Sequence, residues 1–218
     1  MAAVMRINAS NRKSRSPRGS RGFTLLEVML TVVIISFGLL GLGGLHVQSK
    51  QSNLIGVQRS VASQLAHDLF ERMRSNPAAL GSYVPSDSAR VLSGAVVSEP
   101  SPNCASVATL CDPIQLAAHD LWDWERRLGG ALTTDANSSP VGELLSPTAC
   151  IGRPAGGGSG TYTIAIAWRS TKPVGDPSID ASSVADACGA DTGKYDLVSS
   201  GDNQMRHVMW MQSYIMAN

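Results

Sequence analysis

The sequence is poor in charge and in aromatic rings. Of its 218 residues 16% are charged and 5% aromatic, against roughly 25% charged in an ordinary soluble domain. Net charge is only +1, so the strongly basic domain of a dedicated nucleic-acid binder is missing, and no nucleic-acid partner is expected. No cysteine precedes Cys104, and no C-x₂-C pair exists to hold zinc. The glycine-rich Gly156-Gly157-Gly158-Ser159-Gly160 lacks the G-K-[ST] ending and the strand–loop–helix order of a phosphate loop, and reads as a flexible turn. There are no internal repeats. No cofactor, metal or catalytic motif emerges, and the chain is not expected to be an enzyme.

Charge is distributed unevenly. Residues 1–22 hold Arg6, Arg12, Lys13, Arg15, Arg18 and Arg21 and no acid, leaving 12 basic against 17 acidic residues beyond, a net of −5. A basic, serine-rich start before an apolar run is a targeting segment, not part of the fold. From Val28 to Val47, 20 residues carry no charge. A helix of that length spans the ~30 Å hydrocarbon core of a bilayer. The arginines ahead of it place the leader in the cytoplasm and the body outside. No A-x-A site follows the run, which argues against a cleaved secretory signal, and a plain anchor has no use for Glu27. A carboxylate in a membrane helix costs about 2.5–3.5 kcal/mol at the bilayer centre and less near the edge. Cleavage between Gly22 and Phe23 would create an amine one helical turn from Glu27, protonated at neutral pH, able to pair with that carboxylate or a neighbour's.

Arg21-Gly22-Phe23-Thr24-Leu25-Leu26-Glu27 resembles the class III signal of type IV prepilins: a basic leader ending in Gly, then Phe, and Glu at mature position five. The resemblance implies that a prepilin peptidase cuts after Gly22 and methylates Phe23, and that Glu27 guides filament entry by pairing with an adjacent subunit's amine. Met1 and Met5 are both candidate starts. Looser matches, Glu71–Pro77, Asp120–Trp124 and Tyr162–Trp168, resemble minor pilins of the PilV type. Such a protein is held in the inner membrane with its head in the periplasm, then moves to the pilus tip at the cell surface. It supports pilus biogenesis, twitching motility and adhesion. The implied partners are other minor pilins and the major pilin, a PilY-type tip adhesin, the prepilin peptidase, the inner-membrane assembly platform and, before assembly, membrane lipid. A type II secretion pseudopilin shares the same leader, and a signal-anchored periplasmic enzyme is the reading from another class.

The expected organisation is a cleaved leader (1–22), an apolar helix (23–47), its amphipathic continuation (48–76) and a globular head (77–218). Leu54, Val57, Val61, Leu65, Leu69 and Met73 recur at spacings of three and four and predict one apolar stripe, with Lys50, Gln58, Arg59, Asp68, Glu71 and Arg72 on other faces. Asn76-Pro77 predicts the stop. If 23–76 is one helix it measures about 80 Å. Gly38, Gly41, Gly43 and Gly44 suit either close helix packing or local melting in a filament.

Residues 77–103 read as loop with a short strand near Val91–Val97. A second helix starts at Asp112, with Pro113 in its first position and Gln115 completing a capping box. Its expected apolar stripe is Ile114, Ala117, Ala118, Leu121, Trp124 and Leu128, closed by Gly129-Gly130. A weak strand is expected near Glu143–Ile151, the clearest over Thr161–Arg169, and a closing one over Gln204–Ile215. Lys172–Gly201 reads as a solvated loop; its aspartates (Asp176, Asp180, Asp186, Asp191, Asp196, Asp202) lack an EF-hand ladder. His67-Asp68 and His119-Asp120 read as polar helix positions. Helix, helix, then strands predicts an α+β, pilin-like fold: a long N-terminal helical stem, transmembrane in its first half, packed on a small antiparallel sheet. Four cysteines in an exported body favour disulfides and allow three connectivities. The expected pairs are Cys104–Cys111, bracketing the loop before the second helix, and Cys150–Cys188, bracketing the clearest strand.

Overall fold

The computed structural model describes residues 22–84, 90–93, 98–106, 110–130, 136–137, 142, 144–154, 158–175 and 183–217. Outside them lie residues 1–21 of the expected leader (1–22), the end of the Val91–Val97 strand, Glu143, Gly156, Gly157, Asp176 and Asp180. The order is α1 (Leu25–Ser75), a 3-10 turn (Pro77–Ala79), α2 (Leu80–Tyr83), β1 (Arg90–Leu92), α3 (Pro113–Leu128), β2 (Thr148–Gly152), β3 (Gly160–Arg169), α4 (Val184–Ala187) and β4 (Arg206–Ile215). The chain divides into two compact units, one ending at Lys50 and the other running from Gln51. The fold is α+β, with a long apolar N-terminal helix and a four-stranded antiparallel sheet in the order β1-β2-β3-β4. The loop expected after Pro77 instead begins with the 3-10 turn and one turn of α-helix.

In the second unit, Ala62, Ala66, Leu69, Phe70 and Met73 of α1 pack with Ala117, Leu121, Trp124 and Leu128 of α3. Below them lies one sheet face, formed by Ala149, Ile151, Tyr162, Ile164, Ile166 and Trp168. The buried stripe of α1 is rotated from the expected one. Leu54 and Val57 are exposed, and Gln58, assigned to a polar face, is buried. Ala62 and Ala66 are fully buried on this face. Gln58 is tolerated because its Oε1 accepts the Trp168 indole N–H at 3.2 Å.

α3 begins as its residues dictate. The Asp112 carboxylate accepts from the Ile114 and Gln115 N–H groups at 2.9 and 2.8 Å, and Gln115 Oε1 accepts from the Asp112 N–H at 3.0 Å. Pro113 loses nothing at a position whose N–H has no helical partner. Gly130, at φ 75°, follows the last turn in the left-handed conformation that glycine adopts without a steric penalty. Ile114 and Ala118, expected in the stripe, face outward instead, Ile114 being 66% exposed.

β3 is buried on both faces at its centre. Ala165 and Ala167 pack with Cys150, Ala185, Cys188 and Tyr195 on the side opposite α1. The segment expected to be a solvated loop therefore covers part of the sheet. Gly189 (φ 73°) marks the close approach, since a Cβ there would stand 2.7 Å from the Tyr195 ring.

Candidate functional site

Gly22, Phe23 and Thr24 stand in non-helical backbone, and the helix expected from residue 23 begins at Leu25. Phe23 therefore precedes the helix and does not share its face with Glu27. Thr24 is the reason. Its carbonyl accepts the Glu27 and Val28 N–H groups at 3.1 and 3.3 Å, and its Oγ1 accepts the Glu27 N–H at 3.3 Å. Thr-x-x-Glu is a capping-box signature, so Thr24 is a signal present in the sequence beside Glu27. The cap leaves the Gly22–Phe23 bond in exposed, non-helical backbone, the form in which a chain is open to a peptidase. Glu27 sits in the first turn of α1, where a negative charge complements the helix dipole. Its carboxylate makes no ion pair among the described residues.

α1 is long and apolar enough to cross a membrane, and none of its apolar window is buried. Two hydroxyls of its apolar half bond back to the helix itself. Thr31 Oγ1 donates to the Val28 carbonyl at 2.9 Å, and Ser36 Oγ to the Val32 carbonyl at 2.7 Å. Hydroxyls satisfied this way leave no unpaired donor for an apolar medium. A Cβ added at Gly38, Gly41, Gly43 or Gly44 would meet nothing within 4 Å. These glycines leave a smooth helix surface, and α1 is continuous through them. The large side chains from Phe23 to Val47 are exposed. Each gains about 1.5–3 kcal/mol on full burial, so half-burying the run is worth on the order of 20 kcal/mol.

The second unit anchors its share of α1 through one arginine. Arg72 donates from Nε to Asp68 (3.1 Å), from Nη1 to Asp120 (3.3 Å) and from Nη2 to Asp123 (2.7 Å), while the Tyr83 hydroxyl donates to Asp120 at 2.5 Å. Arg127 adds a second contact to Asp123 at 3.1 Å. Burial alone would raise the Asp123 carboxyl, but the Arg72 hydrogen bond and the charges of Arg127 and Arg72 more than offset it and hold it below its usual range. Burial, then Asp120, pushes the Tyr83 phenol up. Asp68 and Asp120, read as plain polar helix positions, are thus members of an ionic cluster. The 68/72 spacing hinted at half of it; the half from α3 required the tertiary fold. His119 instead lies against the Trp122 ring at 5.4 Å, which Arg126 covers at 4.7 Å.

Two disulfides are present, Cys104–Cys111 and Cys150–Cys188. The second ties the end of α4 to β2. Around it, Arg206 Nη1 donates to the Asp186 and Cys188 carbonyls, both at 2.7 Å, and the Tyr195 hydroxyl bonds to Ser146 O and Thr148 Oγ1 at 2.9 and 3.0 Å. The Asp202 carboxylate accepts the N–H groups of Leu197, Val198, Ser199 and Gln204, which hold its pKa far below the ordinary carboxylate value. Asp196 accepts from Gly201 and Asn203. Asp196 and Asp202 are therefore backbone acceptors that shape their own loop, while Asp176 and Asp180 lie outside the described residues.

Compared with known proteins, residues 17–43 match the family model described as the prokaryotic N-terminal methylation motif, and residues 44–122 match the Tt1218-like model, described as type IV pilin Tt1218. Neither the curated proteins nor the solved structures yield a match. The two matched segments adjoin at Gly43–Gly44 and cover α1 and most of α3. From residue 17 to residue 122 the chain is thus similar first to a prokaryotic N-terminal methylation motif and then to the type IV pilin described by the Tt1218-like model.

Proposed function

We propose that this protein is a minor pilin of the PilV type: a membrane-held precursor that joins other minor pilins and a PilY-type adhesin at the pilus tip. Prepilin peptidase cleaves between Gly22 and Phe23 and methylates the new amine. The apolar half of α1 holds the mature subunit in the inner membrane, head in the periplasm, until the assembly platform draws it into the filament. The role is structural. Glu27 biases transfer by pairing with an adjacent subunit's amine, a contact stronger in the filament core than in water because the surroundings are apolar. The observation that carries this reading is the junction itself: an exposed, non-helical Gly22–Phe23 bond, a Thr24 cap, and Glu27 in the first turn of an unburied apolar helix.

Mass spectrometry of the protein extracted from envelopes and from sheared pili tests it. A chain beginning at N-methylated Phe23 is expected; an intact leader in wild-type cells overturns the reading. If loss of the gene leaves piliation and twitching intact but blocks type II secretion, the subunit is a pseudopilin instead.

A further inference from the structure

Among the described residues, β4 closes the sheet and is bonded to β3 on one side only. It has ten residues, against three in β1 at the opposite edge. Proteins usually blunt an exposed edge with proline, lysine, a bulge or a covering segment, because its unpaired N–H and C=O groups template another strand. Arg206–Ile215 contains no proline, lysine, glycine or acid, and its register with β3 runs without a bulge. Among the described residues, no backbone group of residues 207–215 is hydrogen-bonded on its outer side.

The side chains of this edge are also unspent. Met209 and Met211 pack inward against the core, while Trp210 and Tyr214 on the other face are 53% and 62% exposed. The flank is cationic at one end. Arg59 of α1 lies near enough to His207 for its charge to act on that imidazole, and it makes no ion pair among the described residues. At the other end Arg74 bonds Ser213 but is neutralised by Glu71. A partner running along β4 thus meets, among the described residues, backbone donors and acceptors, two aromatic side chains and the charge of Arg59.

We propose that β4 accepts an extended strand from another polypeptide, one with alternating apolar side chains to cover Trp210 and Tyr214 and a carboxylate to meet Arg59. Main-chain hydrogen bonds supply the affinity, and the side chains and charge supply the selection. This rests on the second unit alone, which holds both Arg59 and β4, and is independent of what the subunit assembles into.

The test uses the full mature chain in detergent micelles and two acetylated peptides of ten residues, matched to β4: one alternating valine and glutamate, the other valine and lysine. The readout is amide hydrogen exchange over Arg206–Ile215. The valine–glutamate peptide is expected to slow exchange there and to bind about ten-fold more tightly than the valine–lysine peptide. Arg59→Glu, a change on an exposed helix position, is expected to abolish or invert that preference while leaving the head folded. Three results overturn the proposal. Neither peptide protects β4 at about 1 mM, where even weak encounters register. Both protect it equally in the wild type. Or β4 is already protected without peptide in a concentration-dependent way, which assigns the edge to a second copy of this chain.

Discussion

Glu27→Gln separates a folding role of this residue from an assembly role. Within the subunit, the carboxylate has no cation partner among the described residues. What the change removes is a charge in the first turn of α1, worth about 0.3–1 kcal/mol against the helix dipole. The Thr24 cap survives, because it is made to the Glu27 backbone N–H and not to the side chain. Glutamine also matches glutamate in helix propensity. The expected loss in subunit stability is therefore under about 1 kcal/mol, which in a chain of this length shifts Tm by no more than about 4 °C. Between subunits, a hydrogen bond to a charged group is worth about 1.5–3 kcal/mol, or about ten- to a hundred-fold in partitioning. The assay compares immunoblots of sheared pili with envelopes, beside the Tm of the purified mature protein. The mutant should be cleaved normally, melt within a few degrees of wild type, and fall at least about ten-fold in the pilus fraction. An unchanged pilus fraction refutes the pairing. A pilus defect accompanied by an equal loss of Tm refutes it too, because the effect is then on folding.

Replacing Gly22 by valine should stop processing, since a branched side chain then occupies the junction; mature chain starting at Phe23 would contradict this. Arg72→Ala leaves Asp120 and Asp123 without their shared cation and should destabilise the head by about 3 kcal/mol in a denaturant titration; a change below about 0.5 kcal/mol would show the cluster to be incidental. Replacing Cys150 and Cys188 together by serine should cost up to about 4 kcal/mol by freeing a loop of 38 residues in the unfolded chain. The pH dependence follows from two depressed groups. His207 titrates below its ordinary value, chiefly through burial and then through the charge of Arg59, so its contribution is full above about pH 6.5 and is lost as pH falls through the folded pKa. Asp123 behaves likewise below about pH 4. Melting curves should show two successive declines on acidification, and Arg59→Ala should soften the first.

The elements legible from sequence are those whose causes are local. Asp112, Pro113 and Gln115 lie within four positions, and each satisfies a helix-end group that no distant residue needs to supply. The alternation over Thr161–Arg169 survives in β3 because every inward residue there is large and apolar. The N-terminal run and Glu27 were equally plain, since an uncharged stretch of that length admits few other structures. Tertiary contacts decided the rest. Spacing alone could not say that Ala62 and Ala66, not Leu54 and Val57, would be buried; that depends on which face meets the rest of the core and on Trp168 finding Gln58. Ile114 fits the stripe by period but faces outward, because the buried face of α3 is set by α1. Nor could spacing gather Asp120 and Asp123 around Arg72, some fifty residues away. A loop rich in aspartate looked solvated until Arg206, Tyr195 and the Cys150–Cys188 bond fixed it over the sheet. Local chemistry selects an element and its ends, but the face it buries is chosen by whichever partners offer the closest packing and the hydrogen bonds that burial would otherwise forfeit.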